Sequence, residues 1–494
     1  MPVSTILLIY HRKGKKMKNY KRWIPPIILI CFAFFFSLQD VTSIFSHRVN
    51  YSDSGVYQYI GSSLLRGEVL YRDNFDHFGP VLYIINALGF AIAKIHGVWL
   101  IDFLAMFIIE LLGYKITEHF LKEKLALIVS VSVLSGLSWA FWIGNTPDYL
   151  GLAFILGFVY CSIDLYIEKE LSKTRLALLG LLFTLVFWTK QALVFGIFLF
   201  YIWGVIQYWK KNKKLMLTQI FIPGGVWAVL SGIILVWLKG VHGAYDMIQQ
   251  YFKFTWQGFK VDVLHSHIFG TFWFFFNRPD ILLLFYFIIV YIVIEVFSRE
   301  SKESKEKDLL KTVLVILALQ MFFVALPGRK YVQYSSVYYV WLLLAYTLIV
   351  QRVVKGSIKI VAAVLVFILL VPNGVIAYRS QVSNWKDVGK SQEAVAFLRE
   401  NTAEGSKIAV ASPDHAGYYL ASKRNSATKY PYIHPSMFDH EDGIWKEYRK
   451  ELEEKNAEAI VWFDQQDIHR YLPNIENNYQ SAYTGDGVTI YLRK

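Results

Sequence analysis

The sequence predicts a mainly α-helical membrane protein of about eleven spans with a small α/β domain at its carboxyl end. Three observations predict it. Of 494 residues, 55% are hydrophobic and only 18% charged, against roughly 25% charge in a soluble domain. Apolar runs of membrane-crossing length recur between residues 24 and 378. From residue 379 onward, polar and charged residues return with the periodicities of a water-soluble fold.

The apolar runs are 24–44, 98–116, 125–143, 150–167, 176–189, 191–208, 215–238, 279–298, 311–326, 334–350 and 357–378. With a cytoplasmic amino terminus, the inner loops become 115–124, 168–175, 209–214, 298–311 and 351–359, each with at least three Lys or Arg. That is the positive-inside pattern. The outer connections are poorer in positive charge for their length. Residues 81–95 are apolar enough to span, but counting them would invert every later loop, so they are expected as a juxtamembrane helix on the outer surface. The chain thus divides into a cytoplasmic basic amino terminus (1–23), a transmembrane domain (24–378) with its first outer loop at 45–97, and an extracytoplasmic domain (379–494). The basic stretch before the first span, without a small-residue cleavage site, reads as an uncleaved signal anchor, with Met1 or Met17 as the start.

In the tail, 391–401 has an apolar helical face, 444–455 reads as a charged helix, and 407–411, 459–463 and 488–492 read as strands. The formal net charge of +13 sits largely in short loops between spans, so it reads as orientation signal; no nucleic-acid motif accompanies it. Cys31 and Cys161 are the only cysteines, and both fall inside spans, which supports neither a disulfide framework nor a zinc site. Walker, dinucleotide-binding, nucleophile-elbow and His-Glu-x-x-His patterns are absent, which argues against a nucleotide cofactor. Asp439-His440-Glu441-Asp442 is consecutive and reads as a solvated loop, and His265 and His267 lack a partner at metal spacing.

The chemistry-bearing residues gather in the outer loops. Asp53 follows the first span, where interfacial placement spares a carboxylate most of the roughly 2.5–3.5 kcal/mol cost of the bilayer centre; a solvated loop or cap aspartate is the plainer alternative. Asp76 and His77 precede a Gly79-Pro80 step into the surface helix, either as functional groups or as cap and turn residues. Arg72 and Asp73 are placed to pair. Asp148 lies in a very short outer loop, on the side of Asp53, as a site group or a helix cap. Lys190 and Gln191 interrupt an apolar stretch; the lysine either snorkels or meets an anion such as a lipid phosphate. Arg329, with Tyr331 and Tyr334, occupies an outer loop whose positive charge runs against the orientation pattern, which points to an anionic ligand.

Together these residues resemble the GT-C superfamily of polytopic glycosyltransferases, and most of all the bacterial relatives of dolichyl-phosphate-mannose protein mannosyltransferases and aminoarabinose transferases. The resemblance covers nearly the whole chain. It rests on Asp53 after the first helix, on Gly67-x-x-x-Tyr71-x-Asp73 leading to Asp76-His77-Phe78-Gly79-Pro80-Val81-Leu82-Tyr83, on Asp148, on Lys190-Gln191, and on Gly328-Arg329-x-Tyr331-x-x-Tyr334. Two departures stand out. Members often carry Lys where this chain has Phe78, which shifts phosphate contact to Lys190 and Arg329. Many carry Asp-Glu where this chain has Asp53-Ser54, which weakens a family-type metal site.

The resemblance implies transfer of a sugar from a polyprenyl-phosphate carrier to a glycan, lipid or protein acceptor at the outer membrane face. It implies Asp53 as the general base, with Asp148 and Asp76 in the catalytic group. Lys190, Arg329, Tyr331 and His77 would contact the donor phosphate. It leaves open a divalent cation such as Mg or Mn. The rival readings are a transporter or flippase of lipid-linked sugars and a non-catalytic scaffold. Transporters usually keep ionisable groups near the midplane, whereas here the singled-out charges lie in the outer loops. Reporter fusions test the orientation: a fusion within 45–97 is expected to report outside and one within 209–214 inside, and the reverse result would overturn the loop assignment.

Overall fold

The computed structural model describes residues 23–46, 48, 50, 52–141, 144–167, 169–211, 216–264, 267–297, 305–353, 358–386, 391–411, 416–433, 442–455, 457–463, 468–485 and 487–494. The basic stretch before residue 23, the inner-loop residues 298–304 and the acidic run at 439–441 lie outside them. Helices account for most of the described residues, and helix occupies the bulk of each apolar run. Seven described helices are long and apolar enough to cross a membrane, or eight if the bent pair Ile268–Phe276 and Pro279–Val293 forms one span. Ile24–Ser37 is a shorter apolar helix, with Pro25 and Pro26 in its first turn, where no intrahelical N–H partner is lost.

Between these helices the chain from Asn50 to Val81 forms a compact first-loop lobe. Asp53–Leu65 is a helix whose Ser52 N-cap is extended. Pro80–Glu118 follows, broken where Ala93 and Lys94 leave helical geometry, Lys94 with φ 53. At that break the chain folds back so tightly that a Cβ on Gly97 would stand 1.9 Å from the Gly89 carbonyl oxygen. Residues 81–95, expected on the membrane surface, are the first limb of this broken helix. The limb packs against Asp53–Leu65, with Gly61 seated on Asn86.

Two backbone devices hold the lobe and the next helix in place. The Gly79 and Val81 amides donate to the Thr189 and Trp188 carbonyls at 3.0 and 3.1 Å, which joins the lobe to the break between Lys173–Phe187 and Val194–Lys211. A Cβ on Gly79 would lie 1.9 Å from the Trp188 oxygen, so only glycine permits this approach. The second device is the turn before Pro147–Ser162. Gly144 (φ 59) and Asn145 (φ 42) are left-handed, the Asp40 carboxylate packs on Gly144, and the Asn86 side chain donates to Asn145 Oδ1 at 2.8 Å. Thr146 then caps the helix by accepting from the Tyr149 amide.

The carboxyl-terminal domain carries a five-stranded sheet in the order β2-β1-β3-β5-β4. The strands are β1 (Lys407–Ala411), β2 (Asn425–Ser426), β3 (Ala459–Phe463), β4 (Tyr479–Gly485) and β5 (Val488–Arg493). β1 pairs in parallel with β2 and β3; β5 pairs antiparallel with β3 and β4. The fully buried Ile408–Val410 and Ala459–Val461 explain why β1 and β3 read clearly from sequence. The sequence pattern does not predict β4, because its residues are mostly exposed and polar. Helices Ser391–Asn401 and Asp442–Lys455 fall where the periodicity puts them.

The domain docks on the first-loop lobe through close backbone approach. A Cβ on Gly417 would lie 1.9 Å from the Asn50 carbonyl oxygen, and the Tyr59 and Tyr419 rings pack with centroids 4.6 Å apart. Substituting Gly79→Ala is expected to destabilise the protein by about 1–3 kcal/mol or more through overpacking. Gly224→Ala, where a Cβ meets nothing within 4 Å, is expected to leave the thermal midpoint near wild type or raise it. Thermal unfolding of the detergent-solubilised proteins checks both.

Candidate functional site

Asp53 opens its helix in the first turn, where a carboxylate is favoured by the helix dipole. It is half-buried and is not itself the cap residue. Its backbone is fixed by a small polar network. The Asn50 side-chain amide donates to Ser54 Oγ (2.8 Å) and Gln58 Oε1 (3.1 Å), and Ser52 Oγ donates to Asn50 Oδ1 at 2.6 Å.

Asp148 lies in the first turn of its own helix, but capping there belongs to Thr146. The Asp148 carboxylate instead takes both oxygens to Lys190 Nζ, at 3.0 and 2.8 Å. The pair is sheltered, with side-chain exposures of 16% for Lys190 and 5% for Asp148, so each charge depends on the other. The ammonium also stands 4.3 Å from the Tyr334 ring centroid and 5.6 Å from that of Phe78, a cation–π arrangement. Snorkelling, the plainer expectation for Lys190, does not describe this side chain.

Asp76 is almost fully buried and therefore does not face solvent. Its Oδ1 accepts from the His77 amide at 2.7 Å and from Tyr432 Oη at 3.2 Å, and lies 3.1 Å from His77 Nδ1. His77 is the exposed member of the pair, at 32%, and its ring packs on Phe78 at 4.3 Å. Gln250 secures the segment: its Oε1 accepts from the Asp76 amide, and its Nε2 donates to the Tyr71 carbonyl at 2.7 Å. Tyr71 holds a left-handed backbone (φ 69) while its hydroxyl donates to the Phe78 carbonyl. A buried tyrosine kept in that conformation marks an over-determined segment. Arg72 and Asp73 do pair, at 2.8 Å, on the exposed rim.

Arg329 follows Gly328 (φ 73), whose carbonyl accepts from Thr271 Oγ1 at 3.0 Å. Its guanidinium lies 6.0 Å from the Tyr331 ring, and Tyr331 meets Tyr334 edge-on at 5.5 Å. Asp148, Arg329 and Asp53 all act electrostatically on the Tyr334 hydroxyl. Burial pushes the Tyr57 hydroxyl well above its usual range, reinforced by Asp53, Asp76 and Asp148. Tyr57 touches Phe78 edge-on at 5.3 Å. The charges of Asp53 and Asp148 thus act on both Tyr57 and Tyr334, that of Asp76 on Tyr57 and that of Arg329 on Tyr334, while Phe78 touches both Tyr57 and the Lys190 ammonium.

Sequence reasoning does not single out Tyr57, Gln250 or Tyr432. Their partners are distant in the chain and no local spacing marks them. It also misses the fully buried Asp40, Asn86, Asp102 and Asn145, although polar residues inside apolar runs are a usable signal. Among the described residues, no three His, Cys, Asp or Glu side chains gather in a way that could hold a metal ion. Two substitutions test the ion pair: Lys190→Gln and Asp148→Asn alone are each expected to cost about 3–5 kcal/mol. Their combination should cost clearly less than the sum in the same unfolding measurement.

No family model and no curated protein sequence matches the chain, whereas its fold matches solved structures over nearly its whole length. ArnT from Cupriavidus metallidurans bound to undecaprenyl phosphate aligns with a TM-score of 0.62 at 8% identity, covering 95% of this chain and 97% of that one. The apo form of the same protein aligns at 0.57 and 9% identity, covering 96% and 98%. AglB, the oligosaccharyltransferase of Archaeoglobus fulgidus, in complex with an inhibitory peptide and a dolichol-phosphate, aligns at 0.52 and 12% identity, covering 96% and 75%. The chain therefore shares the fold of GT-C glycosyltransferases.

Proposed function

We propose that this protein is a membrane glycosyltransferase that moves a sugar from a polyprenyl-phosphate carrier to a hydroxyl-bearing acceptor at the outer face of the membrane. The observation that carries the reading is the sheltered Lys190 ammonium, held by Asp148 and set 4.3 Å from the Tyr334 ring centroid, with the charges of Arg329 and Asp53 also acting on the Tyr334 hydroxyl. It occurs within a fold shared with ArnT, which has been seen bound to undecaprenyl phosphate.

The chemistry comes from those charges. Asp53 takes the proton of the acceptor hydroxyl as that oxygen forms a bond to the anomeric carbon. The bond from that carbon to the phosphate oxygen breaks from the opposite side, and its electron pair stays on the phosphate, so the configuration inverts. Lys190 and Arg329 stabilise the charge that develops there, an electrostatic contribution that grows where water is excluded. Tyr331 and His77 add hydrogen-bond contacts to the same phosphate. Asp148 tethers Lys190 and keeps its ammonium aimed, while Asp76, which is buried, works through His77. In this reading the limb from Pro80 to the break at Ala93 lies along the outer surface, and the carboxyl-terminal domain is extracytoplasmic.

A flippase would make similar lipid contacts without breaking a glycosyl bond. The experiment is release of polyprenyl phosphate from a labelled polyprenyl-phosphate sugar by purified protein with candidate glycan, lipid and peptide acceptors. Asp53→Asn is expected to lower turnover by about 10²–10⁴-fold, the usual contribution of a general base, while the protein still inserts normally. Near-normal turnover by that variant would remove Asp53 from the base role, and transport of intact donor would remove the enzyme reading.

A further inference from the structure

Among the described residues, the carboxyl-terminal domain reaches the site through the segment that begins at β2. After β2 the chain runs along the first-loop lobe: the Ser426 amide donates to Tyr59 Oη at 2.7 Å, the Phe75 amide donates to the Lys429 carbonyl at 2.6 Å, and the Phe75 and Tyr430 rings pack at 5.2 Å. Two residues later, buried Tyr432 delivers its hydroxyl to Asp76 Oδ1 at 3.2 Å and within 3.5 Å of His77 Nδ1. The segment that carries Asp76 and His77 is thus held from one side by Gln250 of the transmembrane domain and from the other by Tyr432.

That arrangement has a chemical consequence. With Nδ1 turned to the Asp76 carboxylate, the imidazole presents Nε2 as its free end, and Nε2 has no hydrogen-bond partner among the described residues. A histidine's two nitrogens take their roles from the hydrogen bond that one of them makes. The His77 and Phe78 ring centroids lie 4.3 Å apart, and Lys190 Nζ lies 5.6 Å from the Phe78 ring centroid. Imidazole and ammonium therefore both stand against the Phe78 side chain.

We propose that Tyr432 is a positioning residue that holds His77, through Asp76, against the phosphate of the lipid donor, so that the carboxyl-terminal domain is part of the donor site. The inference rests on the function proposed above and adds to it a residue and a domain. Tyr432 touches neither donor nor acceptor. It supplies a hydrogen bond to a buried carboxylate, the class of bond whose loss costs most. It also ties the docking of the tail to the site: drawing the segment 426–432 off the first-loop lobe takes the Tyr432 hydroxyl away from Asp76 and His77.

The test uses the full chain in detergent and undecaprenyl phosphate as probe, with binding read by intrinsic tryptophan fluorescence and the donor KM and kcat measured in parallel. Tyr432→Phe keeps the ring and removes only the hydroxyl; it is expected to weaken probe binding about tenfold and to raise KM more than it lowers kcat. His77→Ala is expected to weaken binding at least as much. In the His77→Ala background, Tyr432→Phe should have little further effect, because both act through one contact. A merely structural role predicts the opposite: losses that multiply in the double variant and a lowered thermal midpoint. Unchanged binding by Tyr432→Phe, or multiplying losses, overturns the positioning role. Wild-type protein that binds no undecaprenyl phosphate overturns the donor reading itself, and this inference with it.

Discussion

Phe78 to Val81 lie against the Trp188 and Thr189 carbonyls, and the rest of the site depends on that backbone contact. It exists because residue 79 has no side chain: a Cβ there would fall 1.9 Å from an oxygen. The contact brings the first-loop lobe to the one break in the apolar stretch that carries a cation. Lys190 then finds Phe78 on one side and Tyr334 on another, and its charge is balanced by Asp148 from a third element. Four chain segments meet at a single ammonium group.

An ammonium in such surroundings is costly to bury and valuable once buried. Its partner carboxylate and the aromatic faces replace the water it has lost. The same exclusion of water strengthens its field toward a neighbouring anion. Asp148 has two consequences in this setting. It balances the lysine's charge within the protein, and any anion that approached the ammonium would have to share it with that carboxylate. Arg329 lies on a different loop, tied through Gly328 to the bent pair of helices by Thr271, and adds a second positive charge that acts on Tyr334.

The carboxyl-terminal domain changes how this centre is understood. It is not an appendage on a linker: the Gly417 backbone abuts Asn50, the residue that organises the start of the Asp53 helix. Tyr432 from the same domain meets the buried Asp76. The two acidic segments of the first-loop lobe are both braced by a domain that lies more than 300 residues later in the chain.

Elements whose signal is local are legible in the order of residues. Apolar length and charge bias placed the helices, because a helix satisfies its own backbone within one segment. The buried strands β1 and β3 read clearly because an apolar run is written in consecutive residues. Asp53, Asp148, Lys190 and Arg329 stood out because each interrupts a pattern. Tertiary structure alone decided which of these meet. It turned Asp148 from a helix cap into the partner of Lys190, since Thr146 takes the cap. It buried Asp76 and left His77 exposed, and it brought in Gln250 and Tyr432, whose contacts with residues 71–77 cross more than 170 positions. Such contacts leave no spacing in the chain because they are set by packing, which depends on distances in space and not on order along the backbone.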